Sequence, residues 1–174
     1  MKLNKNIVFI VGPSKCGKSL FAEKLMMSYE GIKCYIGTLP KTIPYKNCIL
    51  EHQKRRPVEW SLLELTGDLD TDKDLLNHLK PFPDAILLDG LSFYFFRVLS
   101  NMDQSKLPSN INEFVINNLK MFLEINASYI IIDNVKLETN NPEVDLLLSE
   151  MTITLRNELA KVSETYINFN DCIK

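Results

Sequence analysis

The sequence predicts a three-layer α/β architecture, a mostly parallel sheet covered by helices. Two observations lead there. β-rich runs alternate with stretches of helical spacing, and three of the runs are apolar at every position: Ile7–Val11 (IVFIV), Ala85–Leu88 (AILL) and Tyr129–Ile132 (YIII). A strand apolar throughout is buried on both faces, as in a parallel sheet between helix layers, whereas a half-solvated strand alternates.

The elements follow in order. After Ile7–Val11, Ser19–Tyr29 carries Leu20, Phe21, Leu25 and Met26 at helical spacing, and these predict its inner face. Lys33–Gly37 (KCYIG) reads as a second strand. Tyr45–Arg55 reads as a helix that Pro57 ends, and Trp60–Leu65 (WSLLEL) as a short strand. Asp70–Lys80 is helical and is stopped by Pro81 and Pro83; the strand Ala85–Leu88 runs into Asp89-Gly90. Leu91–Leu99 is apolar and aromatic. Ile111–Ile125 has Ile111, Phe114, Val115, Leu119, Phe122 and Leu123 on one helical face. Tyr129–Ile132 follows, then a long amphipathic segment, Pro142–Val162, and a terminal strand, Tyr166–Phe169. The polar stretch Asn101–Asn110 is expected to be a mobile loop.

At 174 residues, the chain is expected to be a single domain spanning 1–174. A net charge of −2 gives no electrostatic case for nucleic acid or an anionic membrane as partner. The cysteines, at 16, 34, 48 and 172, form no CxxC pair, and with only His52 and His78 beside them they build no metal pattern. The opening MKLNKNIVFIVG has an apolar run too short for a secretion signal or a membrane span, so a cytoplasmic protein with free thiols is expected.

The residues after the first strand carry the chemistry. Gly12, Pro13, Ser14, Lys15, Cys16, Gly17, Lys18 and Ser19 match G-x-x-x-x-G-K-[ST] in full, between a buried strand and a helical pattern. The glycines let the backbone turn tightly and present N–H groups to phosphate oxygens, and the helix N-terminus adds partial positive charge. Lys18 is expected to reach the β- and γ-phosphates, and the Ser19 hydroxyl to ligate Mg²⁺. The chain is thus read as a P-loop NTPase-like nucleotide-binding domain.

Such a site pairs its loop with an acid at the end of a buried strand. Asp89 and Asp133 both fit, and Asp89 is taken as the metal-side acid. No Asn-Lys-x-Asp guanine-reading motif is present, which argues against a Ras-like GTPase. Small P-loop chains of this size are most often small-molecule kinases.

A second unusual segment is EHQKRRPVEW at 51–60, a histidine among three cations and a tryptophan in an otherwise acidic chain. His52 suits a nucleophile toward phosphorus, with Arg56 neutralising phosphate charge. Taken alone, the segment also reads as a solvated basic helix end. Trp60 is read either as core or as a base-stacking ring. Phe93–Phe96 reads as core or subunit interface, with a substrate-facing wall as the alternative. His78 reads as solvated, and Arg97 and Arg156 as surface or interface charges, with phosphate binding as the alternative.

Taken in order, these segments resemble the bifunctional adenosylcobinamide kinase/adenosylcobinamide-phosphate guanylyltransferase family of cobalamin biosynthesis, over nearly the whole chain. GPSKCGKS resembles the family's opening phosphate loop, CYIGT its Y-I-A-T strand, and His52 through Trp60 its H-x-x-x-R-P-x-x-W motif. AILLDG resembles its strand ending in an acid, and IIIDN its later strand. The loop reads KCGKS where the family usually has RSGKS, and Asp89 stands where Glu is more common.

The resemblance implies Mg²⁺-dependent phosphorylation of adenosylcobinamide by ATP or GTP. It also implies transfer of GMP from GTP through a guanylylated His52, and a homotrimer. Two other readings stay open on the residues alone: a different P-loop small-molecule kinase, and a nucleotide-binding protein without catalysis.

Overall fold

The computed structural model describes residues 6–39, 46–134, 139 and 141–169, without the side chains of 46, 48, 52 and 104. Among these residues six strands form one sheet, β1 (Ile7–Gly12), β2 (Lys33–Gly37), β3 (Ser61–Glu64), β4 (Ala85–Asp89), β5 (Ser128–Asn134) and β6 (Thr165–Asn168). The spatial order is β3-β2-β4-β5-β1-β6 and every pairing is parallel. The helices are α1 (Lys18–Met27), α2 (Lys46–Arg55), α3 (Leu69–Asn77), α4 (Leu91–Asn101), α5 (Ile111–Leu123) and α6 (Pro142–Val162).

Alternation along the strands divides the core into two faces. Ile7, Phe9, Val11, Ile86, Leu88, Tyr129 and Ile131 share one face with Tyr94, Phe95, Phe122 and Leu155 from the helices. Val8, Ile10, Tyr35, Leu87, Ile130 and Ile132 share the other with Ala22 and Met26 of α1. Trp60 packs against this second face, which gives it the core role. Within the aromatic cluster, Tyr94 and Phe95 are fully buried and make edge-on contacts with Phe122, so the middle of the cluster is core.

Helix ends follow local chemistry. Asp68, Asn110 and Asn141 cap α3, α5 and α6 by accepting from N–H groups in the first turn, and Pro142 sits where a missing N–H is harmless. Part of the segment expected as a mobile loop is structured: α4 runs to Asn101 and Gln104–Lys106 forms a 3-10 turn. The Asp103 carboxylate accepts from the Ser105 N–H and hydroxyl there.

Two expectations need correction. In α1 the buried residues are Lys18, Ala22, Glu23 and Met26, while Leu20 and Phe21 are exposed. The helix lies on the sheet through its small Ala22, and its direction is set by the loop that precedes it rather than by its most apolar stripe. Arg97 is half-buried, not a surface charge. It donates to the Thr38 carbonyl and, at 2.9 Å, to the Leu65 carbonyl, tying together the chain just past β2 and β3. Burial pulls its pKa below the usual guanidinium value, and Asp72 opposes that. Arg97→Met keeps the stem and loses both charge-assisted bonds, so we expect it to lower unfolding stability by about 2 kcal/mol. Urea denaturation with an unchanged slope is the measurement.

Candidate active site

The phosphate loop follows from the backbone it must turn. Gly12 ends β1 with no space for a side chain, since a Cβ there would lie 2.7 Å from Phe169 Cβ and 2.9 Å from Cys16 Sγ. Gly17 has φ +91°, the left-handed region that glycine adopts without strain. It opens α1 with no side-chain cap, leaving the first N–H groups of that helix to the loop side.

Lys18 is 7% exposed, and its Nζ donates to the Pro13 carbonyl and to Asn134 Oδ1, each at 2.8 Å. Register explains the second bond. Asn134 pairs with Gly12 across β5 and β1, and by alternation it lies on the α1 face with Ile130 and Ile132. Sequence reading missed Asn134. Its signal is a polar amide directly after the buried strand that ends beside the loop.

The same parity separates the two acids. Asp89 is in step with Ala85 and Leu87, which face α1. Its Oδ2 accepts from the Tyr35 hydroxyl at 3.2 Å and from Ser19 Oγ at 3.4 Å, reaching across β5. Thr38 Oγ1 donates to the Asp89 carbonyl at 2.8 Å and holds the turn. Burial, and then the Asp89 charge, hold the Tyr35 phenol well above its usual range, so it remains a donor.

Asp133 is in step with Tyr129 and Ile131 and faces α4. It is 1% exposed, and its carboxylate accepts from the Ser92 hydroxyl, from Ser92 N–H at 3.2 Å and from Asn134 N–H at 3.0 Å. It therefore anchors the first turn of α4, directly after the Asp89-Gly90 corner. Burial raises its pKa to about 6, against the opposing pull of those hydrogen bonds and of Lys18.

These groups surround a cleft of about 790 Å³ at the carboxyl ends of the strands, large enough for a nucleotide. Ser14 to Ser19, Asp89 and Arg56 all line it, so the loop, the acid and the second motif meet in one place. Gly12 and Pro13, the first two residues of the loop, do not line the cleft. α2 borders the cleft through Glu51, Gln53 and Arg55, and Arg56 just after it does the same. His52 lies on this helix, and its side chain is outside the described residues. The Arg56 guanidinium carbon lies 3.2 Å from the centroid of the Tyr35 ring, a cation–π contact.

Among the described residues no group of three His, Cys, Asp or Glu side chains is placed to hold a metal. A triphosphate-bound Mg²⁺ needs less, one or two protein oxygens beside the phosphates, and the adjacent Ser19 hydroxyl and Asp89 carboxylate fit that requirement. Cys16 and Cys34 are free thiols, the first in the loop and the second buried; Cys48's side chain and Cys172 lie outside the described residues. His78 is exposed, as expected, with its ring against the Asp74 carbonyl. No described helix is long and apolar enough to cross a membrane.

An all-parallel sheet flanked by helices, with a complete phosphate loop at its carboxyl edge and an acid aligned with the loop serine, defines the P-loop nucleotide-binding class. Within that class, the chain belongs to the cobinamide kinase / cobinamide phosphate guanyltransferase family, whose profile matches residues 8–166. The family is one of enzymes acting in cobalamin biosynthesis with nucleotide substrates. No individual curated protein matches the chain.

Proposed function

We propose that this chain carries out both reactions of its family in the one cleft, phosphorylating adenosylcobinamide from ATP or GTP and then transferring GMP from GTP to the phosphorylated corrinoid through His52. The observation that carries the reading is the shared cleft: the phosphate loop and the helix bearing the H-x-x-x-R-P-x-x-W motif border the same space.

In the first reaction the loop amides and Lys18 hold the β- and γ-phosphates in line with the acceptor hydroxyl. Bound Mg²⁺, held by Ser19 and Asp89, would neutralise phosphate charge. In the second, an imidazole nitrogen of His52 attacks the α-phosphorus of GTP. A P–N bond forms, the bond to the β-phosphate oxygen breaks, pyrophosphate leaves, and the imidazole proton passes to solvent. A phosphate oxygen of the corrinoid then attacks the same phosphorus, the P–N bond breaks, and His52 takes a proton back from solvent and returns to its starting form. Splitting one displacement into two is the advantage of a covalent carrier. Arg56 neutralises charge beside His52. We read the working unit as a homotrimer of single-domain chains in the cytoplasm.

The test is incubation with GTP radiolabelled at the α-phosphate and Mg²⁺. The native chain is expected to take up acid-labile, base-stable label, and His52→Ala none. A native chain that binds nucleotide but takes no label would overturn the transferase half, leaving a kinase or a non-catalytic nucleotide-binding protein.

A further inference from the structure

Glu23 lies on α1, one turn beyond the phosphate loop, and is 2% exposed although nothing in its local sequence marks it as interior. Its carboxylate receives Arg55 through two bonds, Nε at 3.0 Å and Nη2 at 3.4 Å. Arg56 Nε lies 3.7 Å from Oε1, the oxygen that also accepts from Arg55 Nη2. Arg55 is the last residue of α2 and Arg56 follows it directly, and Arg56 continues through the Tyr35 ring to Asp89. The loop helix, the α2 end and the metal-side acid are thus joined through one buried anion.

Arg55 is hydrogen-bonded to the carboxylate, and Arg56, whose side chain is only 9% exposed, lies beside it in ion-pair range, so loss of the carboxylate weakens the placement of both cations. His52 precedes Arg56 by one helical turn. What the clamp fixes, therefore, is the location of the His52 turn relative to the helix that starts at the phosphates.

We propose that Glu23 is a positioning residue for guanylyl transfer, locking the end of α2 to the phosphate-loop helix so that the His52 turn is held at the α-phosphate of bound GTP. The proposal rests on the His52 reading. It assigns Glu23 no contact with substrate. Its effect is therefore on the rate of protein–GMP formation at saturating GTP, and not on nucleotide affinity, which the loop supplies.

The experiment measures two quantities on the full chain: the single-turnover rate of protein–GMP formation from α-labelled GTP, and the nucleotide Kd by calorimetry. Glu23→Gln keeps the volume and one acceptor but loses the charge. It is expected to slow labelling about tenfold or more while changing Kd less than about threefold. Arg55→Met serves as the second variant, because its side chain is 38% exposed and its loss leaves Arg56 on Glu23. It is expected to slow labelling about threefold, again with Kd little changed.

Native labelling rates in folded Glu23→Gln would overturn the proposal and leave the His52 reading intact. If Glu23→Gln does not fold, native rates in Arg55→Met overturn it. Kd rising in step with the fall in rate would show a merely structural role and overturn it too. A native chain that takes no label overturns the His52 reading, and the clamp's function with it, a result visible before any variant is made.

Discussion

Lys18→Met is expected to lower kcat/KM for the nucleotide by about 10²–10³-fold in each reaction the chain performs, the range for removing one charge-stabilising donor from a preorganised site. The side chain keeps its length and most of its apolar contact, so the fold should survive. What is lost is a nearly buried ammonium, held between the Pro13 carbonyl and Asn134 Oδ1 and lining the cleft. Those two acceptors aim the amine without neutralising it, since neither carries a formal charge. A phosphate entering the cleft meets a cation already oriented, with little reorganisation left to make. Steady-state kinetics and nucleotide calorimetry measure the effect, and turnover within a few-fold of native would remove Lys18 from the phosphate site.

Asp133→Asn is expected to stabilise the protein above pH 6 and to have little effect near pH 4. The Asp133 carboxyl has a pKa of about 6 in the fold against an ordinary 3.8, because burial disfavours its charge. A raised folded-state pKa means that the native chain holds a proton the unfolded chain has released. Stability from this group is therefore fully present below the unfolded value and is lost as pH rises through the interval from 3.8 to about 6. Above it the full cost applies, about 3 kcal/mol. Asparagine fits the same contacts: its carbonyl accepts from Ser92 and Asn134 N–H, and its amide donates to the Ser92 hydroxyl. Urea unfolding of both chains at pH 8, 6 and 4.5 checks this. A stability difference independent of pH would mean that Asp133 titrates as an ordinary exposed carboxyl.

Much of the fold was legible because its signals are local. Short all-apolar runs bounded by glycines and polar residues suit strands buried on both faces, and the glycine-lysine-serine spacing marks a phosphate loop where a strand precedes it and a helix follows. The six strands and the motif positions therefore lie where the sequence places them. The motif resemblance and the family match over residues 8–166 agree for the same reason. The α1 inner face was misread because apolar spacing reports only what a helix prefers to bury. The loop sets the helix direction here, and an ion pair lets Glu23 go inside where Leu20 and Phe21 do not.

The sequence by itself determined the sheet class, the nucleotide loop and a short set of acids and cations around it. Only the tertiary structure separates the surroundings of Asp89 and Asp133. Both end apolar strands, and the difference rests on which side of its strand each residue's parity places it. That is a property of neighbouring strands in register, not of either segment. The same holds for Arg97, Tyr35, Asn134 and Glu23. Each gains its role from a partner between 30 and 120 positions away, and such pairings leave no spacing for a sequence to display.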